Sequence, residues 1–147
     1  MATDEGQPVI LTSTRGPIRV VYQISEDQWQ DGVGKALAYM DKLLDQYRAE
    51  GVDTSRVTIR GVYHGPASEH LLTDAAWNRI KNTDTGNPNT KLLEALARRG
   101  VHVELCNSRR LSNGWSVEDI HPSVDLVSGA FLRGIDLQHH GYAYIKF

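Results

Sequence analysis

A single cysteine, Cys106, is the only thiol in the chain, and it opens the segment Cys106-Asn107-Ser108-Arg109-Arg110. The thiolate is the reactive form of cysteine, and nearby guanidinium groups favour it over the thiol, whose ordinary pKa is about 8.5. Arg109 and Arg110 are therefore candidates to stabilise a Cys106 thiolate, with Asn107 as a polar neighbour. A second segment, His64-Gly65-Pro66-Ala67-Ser68, carries an imidazole that can exchange a proton or hydrogen-bond an oxyanion. Each has a structural counterpart: a lone cysteine in an apolar stretch is commonly a core residue, and a loop histidine commonly bonds to backbone.

Other chemistries lack their residues. One cysteine excludes an internal disulfide and a multi-thiolate metal site. Adjacent residues on a helix point about 100° apart, so His139-His140 cannot readily grip one ion, and no metal is expected. The first strand runs into Ile24-Ser25-Glu26-Asp27, without the glycines of a dinucleotide-binding turn. No phosphate-cradling GxxxxGK[ST] loop and no GxSxG nucleophile elbow occurs. Trp29, Trp77 and Trp115 are candidates for the core or for a pocket wall.

The elements that must position these residues alternate between strand and helix. Ile18–Tyr22 is short and β-branched and reads as the first strand. Ser25-Glu26-Asp27-Gln28 matches a capping box. It predicts a helix from there through Trp29, Val33, Leu37, Met40, Leu44 and Tyr47, stopped at Gly51. Arg56–Tyr63 reads as a second strand, followed by a turn at His64-Gly65 and a helix begun by Pro66. Pro88 starts a further helix to Gly100, and Val101–Cys106 is the third strand. Ser116–Asp119 predicts a short helical turn, Val124–Val127 a fourth strand, Ser128 the cap of a last helix, and Tyr142–Phe147 a fifth strand.

This alternation predicts an α/β protein with three layers, α/β/α, around a mainly parallel five-stranded sheet. In such sheets ligands gather beyond the carboxyl ends of the strands. Both Cys106 and His64 stand at such ends, and their loops share one rim if their strands are neighbours.

At 147 residues, 40% of them apolar, the chain suits one domain. Residues 17–147 are expected to form it, with 1–16 as a flexible, polar tail interrupted by Gly6, Pro8 and Gly16. A net charge of −2 supplies no general field for nucleic acid, and no apolar run approaches the roughly 20 residues of a membrane span. The N-terminal residues do not follow the pattern of a secretory signal, so a soluble, cytoplasmic protein is expected.

Four segments taken in order resemble the DsrE-like (YchN-like) family: Val62–Ala67, Gly100–Cys106, Val124–Gly129 and Leu137–Ile145. The resemblance spans about residues 18–147. It implies a three-layer α/β/α fold, assembly into trimers or hexamers, and a role in sulfur trafficking in which one cysteine carries sulfane sulfur as a persulfide. Cys106 occupies the place of that cysteine, and His64 falls on a family motif position. The function implied is that of a sulfur carrier or sulfurtransferase-like protein that exchanges sulfur with a donor or acceptor protein and needs no cofactor. In sulfur-relay members small or apolar residues follow the cysteine, whereas Asn107-Ser108-Arg109-Arg110 follows here. The alternative is a non-catalytic, homo-oligomeric module that binds a small anion or metabolite through Arg109, Arg110 and backbone donors near Gly65. A Cys–His hydrolase using Cys106 and His64 lacks a recognisable orienting residue.

Overall fold

A computed structural model describes residues 2–147. Met1, the first residue of the expected tail, lies outside the described residues. Residues 2–9 form a small exposed antiparallel hairpin, β1 (Ala2–Asp4) and β2 (Gln7–Val9), turned at Glu5-Gly6. Further on, the Thr12 backbone N–H donates to Glu50 Oε1 at 2.6 Å.

Strand β3 (Ile18–Ile24) follows. The helix predicted from Ser25 does not begin there. Instead β4 (Trp29–Gln30) and β5 (Val33–Gly34) form a tight hairpin, and α1 (Lys35–Ala49) starts only afterwards. The cause is Asp31-Gly32, with φ of 53° and 83°, the two left-handed positions that a two-residue hairpin turn requires. Ser25 is also committed elsewhere: its N–H donates to the Phe147 carbonyl and its own carbonyl accepts from Ala67 N–H.

The chain continues through β6 (Val57–Tyr63), a 3-10 turn over Gly65–Leu71, α2 (Asp74–Lys81) and α3 (Thr90–Arg98). Thr73 caps α2 by accepting from Ala76 N–H. Next come β7 (His102–Cys106), α4 (Asn107–Ser112), β8 (Asp125–Val127), α5 (Ala130–His139) and β9 (Ala143–Lys146). The capping box predicted at Ser116–Asp119 is present. Gly129, not Ser128, occupies the cap position of α5.

The five long-range strands pair in parallel in the order β8-β7-β6-β3-β9, which is the α/β, three-layer arrangement expected. From β3 the chain steps to β6, β7 and β8 in one direction, then crosses the whole sheet to β9. Right-handed crossovers put connections running in opposite directions on opposite faces. Accordingly α1, α2 and α3 contribute to one core and α5 lies alone on the other face, against β3 and β6.

Alternation along the strands then sorts the side chains. Toward the three helices point Val20, Tyr22, Ile24, Ile59, Tyr63, Val103 and Leu105, all buried in the main core with Leu37, Met40, Leu93 and Leu96. Gly61 shares that face, and a Cβ there would stand 2.8 Å from Met40 Sδ, so glycine lets α1 approach. Toward α5 point Val21, Val62 and Cys106, which pack with Ala130 and Leu137 in a small second cluster. Among the described residues no helix is long and apolar enough to cross a membrane.

Candidate functional site

Tyr63 pairs with Leu105 in the register of β6 and β7, so the next position brings His64, still extended at φ −150°, beside Cys106 on the α5 face. Adjacent strands lie about 4.8 Å apart. The loops of the two strands thus share a rim. Cys106 also pairs with Val127 of β8. After Cys106 the chain leaves through α4 toward the three-helix side, where Ile120 joins the main core. After Val127 it leaves toward α5. The carboxyl ends of β7 and β8 are therefore where the connections part to opposite faces, the kind of crevice in which parallel sheets bind ligands. Ser108 Oγ donates across this divide to the Ser128 carbonyl at 3.3 Å.

Cys106 is 7% exposed. It belongs to the small apolar cluster of Val21, Val62, Ala130 and Leu137, against which Val127 and Tyr142 pack. Val21, Val62 and Ala130 also line an apolar groove of about 350 Å³ between α5 and the β3–β9 side of the sheet.

His64 is half-buried and tied into a chain of hydrogen bonds. The Tyr144 hydroxyl donates to Gln23 Oε1, and Gln23 Nε2 lies 2.9 Å from His64 Nε2. Since the amide nitrogen donates, His64 Nε2 accepts, and the ring is neutral with its proton on Nδ1. Burial, reinforced by the charges of Lys146 and Arg109, holds its pKa below the ordinary histidine value. The exposed ring of Phe131 stands edge-on to His64 at 5.4 Å between centroids. A neutral imidazole whose free nitrogen bears hydrogen can donate to an anion, whereas taking a proton from a thiol would require a free lone pair.

The other residues singled out from sequence divide into two groups. Arg110 donates to Asn107 Oδ1 at 2.8 Å and to the Trp115 carbonyl at 2.7 Å, so both residues help to tie α4 to the following loop. Gly65 and Arg109 instead line a separate crevice of about 360 Å³ with Asp27, Glu69, Asn113 and Trp115. Gly65 has φ of 61°, and a Cβ there would meet the Ser25 carbonyl oxygen at 3.1 Å. Arg109 Nε is buried without a hydrogen-bond partner among the described residues. Of the residues named from sequence, the structure brings Cys106 and His64 together on one face, and Gly65 and Arg109 together in the crevice.

Gln23, Tyr144 and Phe131 border this site and were not foreseen. The signal for Gln23 was present: Arg19 and Gln23 flank Val21 on one face of β3, and polar residues within a buried parallel strand mark that face as special. Tyr144 and Phe131 join it only through the long crossover. No group of three or more His, Cys, Asp or Glu residues is placed to hold a metal ion among the described residues.

A parallel α/β protein with its sole thiol at the parting of the connections is the class these features define. No family model matches the chain, and no curated protein matches it. Among solved structures it is similar to the protein of unknown function MTH1491 from Methanobacterium thermoautotrophicum. That protein is 22% identical, with 88% of this chain and 99% of the other covered and a TM-score of 0.63. The YchN protein from E. coli aligns at 14% identity over 88% of this chain and 100% of its own, with a TM-score of 0.48. The likeness to MTH1491 is one of fold. The three-layer arrangement implied by the DsrE-like resemblance is the one this chain adopts.

Proposed function

We propose that this chain is a subunit of a homo-oligomeric, cytoplasmic sulfur carrier that holds sulfane sulfur as a persulfide on Cys106. The observation that carries the reading is the placement of the sole thiol at the parting of the β7 and β8 connections, on the sheet face covered by one helix and beside His64. In the proposed step the Cys106 thiolate attacks the outer sulfur of a donor persulfide. The donor S–S bond breaks, the donor leaves as a thiolate, and Cys106 gains one sulfur atom. An acceptor thiolate then attacks that outer sulfur and restores Cys106, so no external oxidant or cofactor enters. His64, carrying hydrogen on Nδ1, is suited to donate to the persulfide anion rather than to act as a base, and Arg109 and Lys146 add positive charge near His64.

Burial sets the decisive condition, because exchange needs access to Sγ. Intact-mass measurement after incubation with a sulfane-sulfur donor is expected to show a gain of about 32 Da that Cys106→Ser abolishes. If the folded protein gains no sulfur and its thiol also resists a small alkylating reagent until it is unfolded, the reading fails.

The homo-oligomer is supported by the outer face of α5, where Phe131 is 68% and Ile135 56% exposed, with Leu132 beside them and Tyr144 on the neighbouring strand. A second copy of the chain is the proposed occupant of this apolar face.

A second reading, a non-catalytic binding module, is favoured by the unpartnered Arg109 Nε. In the crevice Asp27 is already bonded to Trp29 and His70, and Glu69 to Lys81, so the Arg109 guanidinium is the group left to hold a small anion or metabolite. Equilibrium dialysis of a metabolite mixture tests it: selective retention by the native chain and its loss in Arg109→Gln would favour this module over the carrier.

A further inference from the structure

We infer that the cavity at the amino-terminal half of the α5-facing sheet surface is a binding site for a phosphoryl group. This site lies at the opposite end of the face from Cys106 and does not depend on the sulfur-carrier reading. Its volume is about 430 Å³, and Arg19, Arg60, Arg133, Asp136, His140 and Tyr142 line it.

The arginines are held in place by a buried anion. Glu104 is 1% exposed and accepts from Arg60 Nη1 at 2.9 Å and from Arg133 Nε and Nη2 at 2.8 and 3.0 Å. One carboxylate thus anchors two guanidinium groups without neutralising both. Arg60 Nε donates to the Tyr142 hydroxyl at 3.0 Å, which orients that hydroxyl as an acceptor and leaves its own hydrogen free to donate. Arg60 Nη2 carries hydrogens with no partner among the described residues. Arg133 Nη1 has only Asp136, at 3.7 Å. Arg19 makes no hydrogen bond or ion pair among the described residues, and its Nη1 would lie 3.4 Å from a Cβ at Gly141, whose φ is 83°. Three guanidinium groups, on β3, β6 and α5, therefore bring unused donors to one cavity.

The opposing charges are Glu104, already committed, and Asp136, exposed at the rim, so three cations face two carboxylates. The carbonyl end of α5 adds a partial negative charge that reduces the excess without reversing it. His140 contributes little here, since its Nδ1 lies 2.7 Å from the Asp136 carbonyl. Donors arriving from three elements suit a tetrahedral group with several outer oxygens better than a planar carboxylate with two. The volume falls within the range of about 300–1,000 Å³ typical of small-molecule sites, so the source is either free phosphate or a phosphorylated metabolite.

Calorimetric titration of the full chain at fixed ionic strength tests the site, with inorganic phosphate, glycerol 3-phosphate and glycerol as the three probes. Saturable binding of either phosphate compound, without binding of glycerol, is expected. Tighter binding of the ester identifies a metabolite site, and equal or tighter binding of inorganic phosphate identifies a free-phosphate site. Arg19→Gln, an exposed substitution that breaks no hydrogen bond or ion pair among the described residues, is expected to weaken binding about five- to tenfold, and Arg19→Lys to recover part of it. No saturable binding of either phosphate compound up to about 10 mM, or undiminished binding by Arg19→Gln, overturns the inference.

Discussion

The two faces of the sheet are made from the same strands yet differ in nearly every physical respect. Toward α1, α2 and α3 the strands present an unbroken apolar surface, including Val20, Ile24, Ile59 and Leu105. Toward α5 the intervening residues include Arg19, Gln23, Arg60, His64, Glu104 and Cys106. Three helices seal the first face, whereas a ten-residue helix covers the second and leaves a groove and a charged cavity beside it. Stability is concentrated on one side and chemistry on the other. The sense of a single crossover, from β8 across to β9, accounts for the division.

The strongest test of this contrast is a pair of truncations. Leu105→Ala, in the sealed core, is expected to cost about 2–5 kcal/mol in denaturant unfolding. Leu137→Ala, in the small cluster under α5, should cost less, since fewer groups enclose it and the adjoining charged cavity lets them relax. Equal losses would erase the distinction between the faces. Next in size is Glu104→Gln, which removes the charge that holds Arg60 and Arg133. Both guanidiniums are partly solvated, so they can rehydrate, and a loss of about 1–3 kcal/mol is expected rather than the full cost of an orphaned buried charge.

A smaller effect concerns pH. The folded His64 ring has a lowered pKa, while in the unfolded chain it titrates near its ordinary value of about 6.5. Between those values the unfolded state binds more protons, so the contribution of His64 to stability is complete above about pH 6.5 and is lost as pH falls through the folded pKa. A midpoint below 6.5 in the imidazole NMR titration is expected, and one above it would contradict the neutral, Gln23-bonded ring. Ile135→Asp should change subunit stability least, by no more than about 0.5 kcal/mol, because the side chain is exposed. The same substitution is expected to lower the sedimentation coefficient to that of a monomer. An unchanged coefficient would remove α5 from the interface.

Much of the architecture could be read locally. β-Branched runs marked β3 and β6, and the apolar run ending at Cys106 marked β7, because pleated strands favour those side chains. The capping residues at Ser116–Asp119 acted as expected, since their hydrogen bonds span three residues. The same kind of signal misled at Ser25. There Asp31-Gly32 and long-range bonds to Phe147 and Ala67 outweighed a local cap. Helix α4, six residues long, is too short to display a helical period in the sequence.

For the site, sequence alone determined that there is one thiol, that it ends a strand, and that His64 ends another, because these depend on residue type and short-range backbone preference. Only the tertiary structure decided that those strands are neighbours, that Arg110 is committed to Asn107 and Trp115, and that Arg109 faces a different crevice. It also decided that Cys106 lies under a single helix rather than in the main core. Strand order and crossover direction are set by the burial of residues distant in the chain, and no local pattern encodes them.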